Sequence, residues 1–487
     1  MRTMTVLLAL LIPLTAGAQI TFERTYGGTS GDEGYSVQQT SDGGYIVAGW
    51  TGLYGTGWDD AILIKTDEAG DTMWVRPYGG PDGELGYSVD QTGDGGYIIA
   101  GWTSSFGAGA RDVYLIKTDG VGNAVWVRTY GAQEHEEGHS VEQTLDGGYV
   151  VAGYTHSFGA GNNDVYLIKT DSGGDTMWAC TYGGSLEDEG HSVEQTMDGG
   201  YIVAGHTHSF GSGLDDVYLI KTDDQGDTVW TRTYGGPEHD VGYSVEQTSD
   251  GGYVIAGYTY SFGSGQADVY LIKTDGAGDT VWTRTYGGSG WETGSSVAET
   301  DGGGYVIVGR TNSFGEGGEL YLIRTDGAGD TVWTRTYGDS LYEAGYAVEQ
   351  TSDGGYIISG EATSFGTGES DVYLIKTDAD GLVQVSEDHG EIPRPECQYL
   401  AQNYPNPFRT RTAITYALPD QQPVTLAIYD VRGALVRELA SGAVSAGSHR
   451  VTWDGRDERG LEAASGVYFC HLETRHQCET RRMVLLR

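Results

Sequence analysis

The sequence predicts an all-β chain: a seven-bladed β-propeller closed by its own N-terminal strand, followed by a β-sandwich. Three observations point there. A unit of 52 residues recurs, its opening Tyr falling at Tyr26, Tyr78, Tyr130, Tyr182, Tyr234, Tyr286 and Tyr337, with one step of 51. Each unit breaks into four strand-like runs divided by Gly/Asp turns. The two ends of the array are complementary, each holding what the other lacks.

The fifth unit shows the elements in order. Its runs are Tyr243 to Thr248, Tyr253 to Thr259, Asp268 to Thr274 and Thr280 to Tyr286. Ser249-Asp250-Gly251-Gly252 joins the first pair and Asp275-Gly276-Ala277-Gly278-Asp279 the second, both short connections suited to hairpins. The second and third runs are almost continuously apolar, which predicts cover on both faces by stacked sheets. In the fourth run Trp282, Arg284 and Tyr286 share one side, and a cation on an outer strand discourages edge pairing. Ahead of the first full unit, Ile20 to Tyr26 reads as a stray fourth strand with Phe22 in the Trp position. The seventh unit has three strands, through Thr377, and Ala379 to Val385 lacks the Trp and the Arg. An open solenoid would need two polar caps instead, so the ends predict a closed ring. With GGYIVAG, SFG and DVYLIKTD as recurring words, residues 20–385 resemble the Gly/Tyr-rich propeller repeats of large secreted bacterial and archaeal proteins.

Met1 to Ala18 reads as a secretory signal peptide. Arg2 gives the positive start, Val6 to Leu14 the apolar core, and Ala16-Gly17-Ala18 the cleavage site. Residues 386–397 form a polar, Pro-bearing linker. Residues 398–487 then change texture: six or seven short strands, separated by turns such as Asp430-Val431-Arg432-Gly433, suggest an Ig-like β-sandwich. The words in it are specific. Asn403-Tyr404-Pro405-Asn406-Pro407-Phe408 opens the domain after Gln402, followed by Ile428 to Gly433, Ala446 to His449, Trp453 to Asp457, Ser465 to Tyr468 and Arg482 to Arg487. This order resembles the C-terminal sorting domain of type IX secretion cargo, which is similar to the Ig-like domain of flagellar hook-capping proteins. Arg409-Thr410 and Cys470 depart from that pattern. The resemblance implies the type IX secretion machinery as partner, surface attachment or cleavage as fate, and Asn403 to Phe408 as part of the sorting motif.

Composition bounds the partners. With 69 acidic and 28 basic residues the net charge is −41, which excludes a nucleic-acid footprint and disfavours adsorption to anionic lipid. No later stretch could span a membrane as a helix, so an integral membrane protein is not expected. Four Cys are too few for a disulfide scaffold, although Cys470 and Cys478 flank a terminal hairpin where a bridge is conceivable.

Candidate site residues fall into three groups. Asp32, Glu84, Glu136, Asp188, Asp240, Glu292 and Glu343 precede the first strand of each unit, and Asp60 with its six counterparts opens the third. Both rings belong to one face. They read either as a cation mouth, with calcium the cofactor, or as turn chemistry in which a carboxylate accepts backbone N–H bonds. The repeat-region histidines, His135, His139, His156, His191, His206, His208 and His239, all lie in units three to five near that face. His139 and His191 replace a Tyr, and His156 and His208 are equivalent loop positions. They read as a ligand cluster or as drift among ring-sized polar residues. Aromatics such as Trp102 could stack on sugars or pack between blades.

No G-x-S-x-G elbow, HExxH or phosphate loop occurs. The expected function is a secreted or cell-surface binding or adhesion protein with an extracellular glycan or protein as ligand. The alternatives are a propeller enzyme on extracellular polysaccharide, a lyase or glycosidase, and a structural spacer. Departures from seven-fold equivalence that converge in one pocket would favour a site.

Overall fold

The computed structural model describes residues 19–52, 58–315, 317–366, 369–383, 408–418, 422–430, 432, 434–444, 447–474 and 478–487. The signal peptide, the linker with Cys397, and residues 403–407 of the sorting word lie outside them. The chain divides into two compact units between residues 384 and 385.

The first unit is a seven-bladed β-propeller. Asp32–Gln39, Tyr45–Thr51, Asp60–Thr66 and Thr72–Tyr78 form the first antiparallel four-stranded sheet in simple sequence order, and five further blades repeat it. The seventh is built from Glu343–Gln350, Tyr356–Ala362 and Asp371–Thr377, and its fourth strand is Phe22–Tyr26. Phe22 pairs with Lys376 and Tyr26 with Val372 across that closing seam. Phe22 also does the work of the missing Trp. Its ring meets Tyr45 edge-on at 5.9 Å, as Trp74 meets Tyr97 at 6.0 Å. Gly70, at φ +79°, lies so close under Phe22 that a Cβ would sit 2.7 Å from the ring, and Gly122 lies equally close under Trp74. That turn therefore needs Gly both for its backbone and for the aromatic lid.

Burial follows the apolar pattern of the sequence. The third strand of a blade is buried along almost its whole length and the second everywhere but at its half-buried sixth residue in most blades, whereas the fourth mixes exposed and half-buried positions. The core lies between blades: Val150, Ala152 and Leu167 of the third blade pack with Tyr201, Val203 and Ile220 of the fourth. Each buried Val, Leu or Ile among them contributes roughly 1.5–3 kcal/mol by leaving water. The outer Arg is not bare, since Arg284 stacks over Trp282 at 5.4 Å. The first strand starts three residues earlier than the run Tyr243 to Thr248 suggests, at Asp240, because Asp240 N donates to Asp215 O of the preceding blade at 2.9 Å.

The second unit is an Ig-like sandwich of six described strands. Thr412–Leu418 pairs with Gly447–Trp453, and Leu435–Val444, Gln422–Asp430, Gly466–Thr474 and Cys478–Leu485 form a four-stranded sheet in that order. Phe408, Ile414, Leu426, Trp453, Leu472 and Met483 are among the residues of the core between them. The bridge considered between Cys470 and Cys478 does not form. The register sets Cys470 opposite Arg481 and Cys478 opposite Glu473, and Cys470 is a free thiol in the core.

Candidate functional site

Each blade brings the same three loop positions together on one face of the ring. The residue before strand three bonds to the first strand of the next blade, as in Glu136 N to Arg111 O at 3.0 Å and Asp240 N to Asp215 O at 2.9 Å. The residue after strand two bonds to the residue before strand one, as in His156 N to His135 O at 2.9 Å and Tyr260 N to His239 O at 2.9 Å. The backbone frame is thus constant. The side chains it carries are not: the position before strand three holds Arg111, Asn163, Asp215 and Ala267 in successive blades.

The inner strands add a collar. Each bulges at a shared position, between Gly138 and Ser140 in the third blade, and the residue in the bulge points into the channel. Those residues are Tyr35, Tyr87, His139, His191, Tyr243, Ser295 and Tyr346. The rings follow one another at 5.1 Å from Tyr346 through Tyr35 and Tyr87 to His139, then at 5.2 Å through His191 to Tyr243. Ser295 opens a gap in an otherwise continuous aromatic ring.

The departures from seven-fold equivalence in these loop and collar positions therefore converge at the channel mouth, in chemically distinct sectors. In blades two and three, Arg111 stacks over Trp102 at 4.0 Å and reaches Glu137 Oε1 at 2.5 Å. Burial pushes the Glu137 carboxyl up, but His139 and Arg111 more than offset it and hold the group at about 2. Trp102 is only 7 % exposed, so it serves packing and offers no open face for a sugar. In blades six and seven, Arg310 lies over both Trp291 (5.0 Å) and Tyr342 (4.2 Å). Glu361 beside them accepts from Tyr346 Oη at 2.5 Å, and burial together with Glu33 raises it to about 7.

The histidine sector occupies blades three to five. His139 Nδ1 is 3.1 Å from His191 Nδ1, and His191 Nε2 is 3.1 Å from His206 Nδ1. His208 Nδ1 and His239 Nδ1 approach the two oxygens of Asp215 at 2.6 and 2.5 Å. Burial, helped by His139 and His206, drives the His191 pKa far down, and burial also lowers His206 against the pull of Glu189 and Asp215. Both imidazoles are therefore neutral at physiological pH. Of the sequence candidates, the structure brings His139, His191 and His208 into one chain of contacts. His156 stands exposed on the third blade, one loop away. Asp215 was missed by the sequence reading. Its signal was available, because no sister copy carries a carboxylate there except Asp59.

The seven-carboxylate ring is arranged otherwise. Glu84 accepts Gly80 N at 2.7 Å, Asp240 accepts Gly236 N at 2.8 Å, and the same bond four residues back occurs for Asp32, Glu136, Asp188, Glu292 and Glu343. All seven are 0–1 % exposed. Each gives an oxygen to the loop of its own blade, Asp32 Oδ1 and Asp240 Oδ1 staying buried without a hydrogen bond, and among the described residues the ring does not gather into one metal-ligating group.

The second unit matches a known family. It is similar to the FlgD Ig-like domain over residues 408–476. A stretch of 225 residues is 28% identical to the regulatory protein FlaEY of Caulobacter vibrioides, covering 40% of this chain and 23% of that protein, so the chain spans less than a quarter of that relative. Among solved structures, PorZ of Porphyromonas gingivalis, described as an essential surface component of the type-IX secretion system, aligns at 14% identity and a TM-score of 0.43, over 95% of this chain and 60% of PorZ. The WD40 domain of Neurospora crassa Pan2 aligns at 11% identity and a TM-score of 0.43, over 71% of this chain and 89% of that one. No helix among the described residues is long and apolar enough to cross a membrane.

Proposed function

We propose that the chain is an exported surface protein whose propeller captures an extracellular ligand, a glycan or a protein, at its channel mouth. The observation that carries this reading is the convergence of side-chain variation on one face over an invariant backbone frame. A spacer would have no reason to hold Arg310 between Trp291 and Tyr342 or to place carboxylates and imidazoles in separate sectors. Export rests on the Met1 to Ala18 pattern and on the sorting-domain words, with the FlgD-like match behind them. The Ig-like unit is then the address and the propeller the cargo.

A polysaccharide-acting enzyme is the second reading, favoured by Glu361, whose proton affinity burial and the neighbouring Glu33 raise. That pair is hydrogen-bonded to itself, whereas retaining glycosidases hold their carboxyls about 5–5.5 Å apart. Binding therefore stands first.

The test is a glycan-array and surface cross-linking comparison of the full chain with Arg310→Ala and Tyr342→Ala. Loss of capture in both variants is expected; capture equal to the wild type would move the ligand off the mouth. Deleting residues 398–487 is expected to leave the protein in the periplasm, and normal surface display would sink the sorting assignment.

A further inference from the structure

We propose that the fourth blade's mouth binds one divalent first-row transition metal, with zinc as the reference ion, through His206, His208 and Asp215. The location rests on the reading of the mouth as a binding surface, and the chemistry rests on the donors alone.

One donor atom from each of the three residues lies within 4.8 Å of the others. Two donors about 2.1 Å from a tetrahedral ion stand roughly 3.4 Å apart, so small side-chain rotations close the set. His206 Nδ1 faces His191 Nε2, which leaves His206 Nε2 for the mouth side. His208 Nδ1 and Asp215 Oδ1 are the second observation. They stand 2.6 Å apart, both shielded from solvent, yet neither makes a properly directed hydrogen bond. Asp215 is 6 % exposed, and a carboxylate so buried with a misdirected oxygen demands a partner. A cation that takes both atoms as ligands, once a small rotation widens the gap between them, supplies it.

The surroundings fit a metal and not a simple ion pair. Asp215 Oδ2 accepts from His239 Nδ1 at 2.5 Å, which fixes the carboxylate from behind as ligating carboxylates are commonly fixed. Two imidazoles and one carboxylate select zinc-like ions over calcium, which takes six to eight oxygens. His208 is about one-third exposed, so the remaining position opens to the mouth, where a water or a ligand group would complete the shell. Glu189, His191 and His206 form an overlapping set on the side of the inner strand. Since His206 is shared, one ion is expected. Glu189 Oε1 is already engaged by Asn163 Nδ2 at 2.7 Å, which disfavours the inner-strand seat.

The experiment uses the full chain, stripped with EDTA and titrated with Zn²⁺ by calorimetry and with Co²⁺ by visible absorption. One ion per chain is expected, with a tetrahedral Co²⁺ spectrum and a rise in melting temperature. His208→Ala and Asp215→Asn should weaken binding by at least about tenfold and abolish the spectrum, and His239→Ala should weaken it by about tenfold with the spectrum kept. His156→Ala, on the exposed neighbouring loop, should bind as the wild type does. Melting of the metal-free variants separates misfolding from lost ligands. No saturable binding, wild-type binding by both ligand variants, or loss on Glu189→Gln with Asp215→Asn unaffected would overturn the assignment. Capture of the extracellular ligand by EDTA-treated protein reports on the mouth separately, so either reading can fail without the other.

Discussion

The hydroxyl of Tyr26 donates a 2.6 Å hydrogen bond to the carbonyl of Gly70, tying the closing strand of the seventh blade to the outer turn of the first. The same clasp joins every other pair of neighbouring blades, as in Tyr182 to Gly226 and Tyr337 to Gly381, both 2.6 Å. The joint between the seventh and first blades is thus chemically identical to the others; the seam that no covalent chain crosses lies within the seventh blade, between Phe22–Tyr26 and Asp371–Thr377. Phe at Tyr26 or at Tyr182 should therefore cost the same, about 1 kcal/mol, the net worth of one hydrogen bond. Urea midpoints of the two variants check this. Removing residues 20–26 is a different matter: it takes away five ladder pairs and the Phe22 lid, and the melting temperature should collapse. An unchanged melt would refute strand closure.

A second joint shows compensation between two positions. In the fifth blade Lys273 is buried and reaches Asp250 at 3.0 Å, and the equivalent pair occurs as Lys117–Asp94 and Lys221–Asp198. The sixth blade has Gly302 in place of the Asp and Arg324 in place of the Lys, and the guanidinium reaches past to Gly303 O at 2.7 Å. Its fork finds carbonyls where no carboxylate is offered. Arg324→Lys should cost about 1–2 kcal/mol by leaving a shielded ammonium short of partners, and adding Gly302→Asp should recover it. A Cβ at Gly302 meets only Arg324 Nη2, at 3.7 Å, so the rescue is sterically free. Additive losses in the double variant would contradict the pairing.

The period of 52 made the blades, their strands and the closing strand legible, because spacing and apolar runs are local facts of the sequence. The mouth was legible only in part. His139, His191 and His208 stood out as histidines, but the collar to which His139 and His191 belong depends on a bulge that sequence does not announce. Asp215 looked like one acid among 69. Its meaning appears only when the seven copies are read as columns and the variable columns are seen to share one face. The recurrent carboxylates misled in the opposite direction: regularity drew attention to Glu84 and its sisters, and regularity is what a turn device repeated in each blade produces.

Stability should fall as pH rises through neutrality. Glu142, Glu194 and Glu246 line the inner strands as neighbours, each accepting a backbone N–H of the next blade, Gln247 N to Glu194 at 2.5 Å among them. Burial raises Glu194 to about 8, with Glu142 and Glu246 adding to the effect, and burial raises those two to about 7. In the unfolded chain these acids ionise near 4.5, so between about pH 4.5 and 8 the folded state holds more protons than the unfolded one. The stabilisation they give is full below that window and lost across it. Glu194→Gln keeps the acceptor and removes the charge. It should flatten the slope and gain on the order of 2 kcal/mol at pH 8, with little change at pH 4.5. Thermal melts of both proteins across that range measure it; a slope unaltered by the substitution would rule the belt out as its source.

Phe408 closes the word Asn403 to Phe408 read as a sorting motif, yet its position in the sandwich is a core position. It is 2 % exposed, meets Trp453 edge-on at 5.5 Å, and is pinned by Phe408 N to Val484 O and Leu486 N to Phe408 O at 3.0 and 2.8 Å. Phe408→Ala should cost about 3–5 kcal/mol and loosen the whole sandwich, whereas Phe408→Leu should cost far less. Hydrogen exchange of peptides spanning 447–453 and 478–487 reports this directly, with fast exchange expected only in the Ala variant. An export defect in Phe408→Ala alone would then mean an unfolded domain. Recognition of the word itself has to be read from Asn403→Ala, in a sandwich whose exchange is unchanged. If that variant is exported normally while Phe408→Ala is not, the export machine reads the folded sandwich and not the motif.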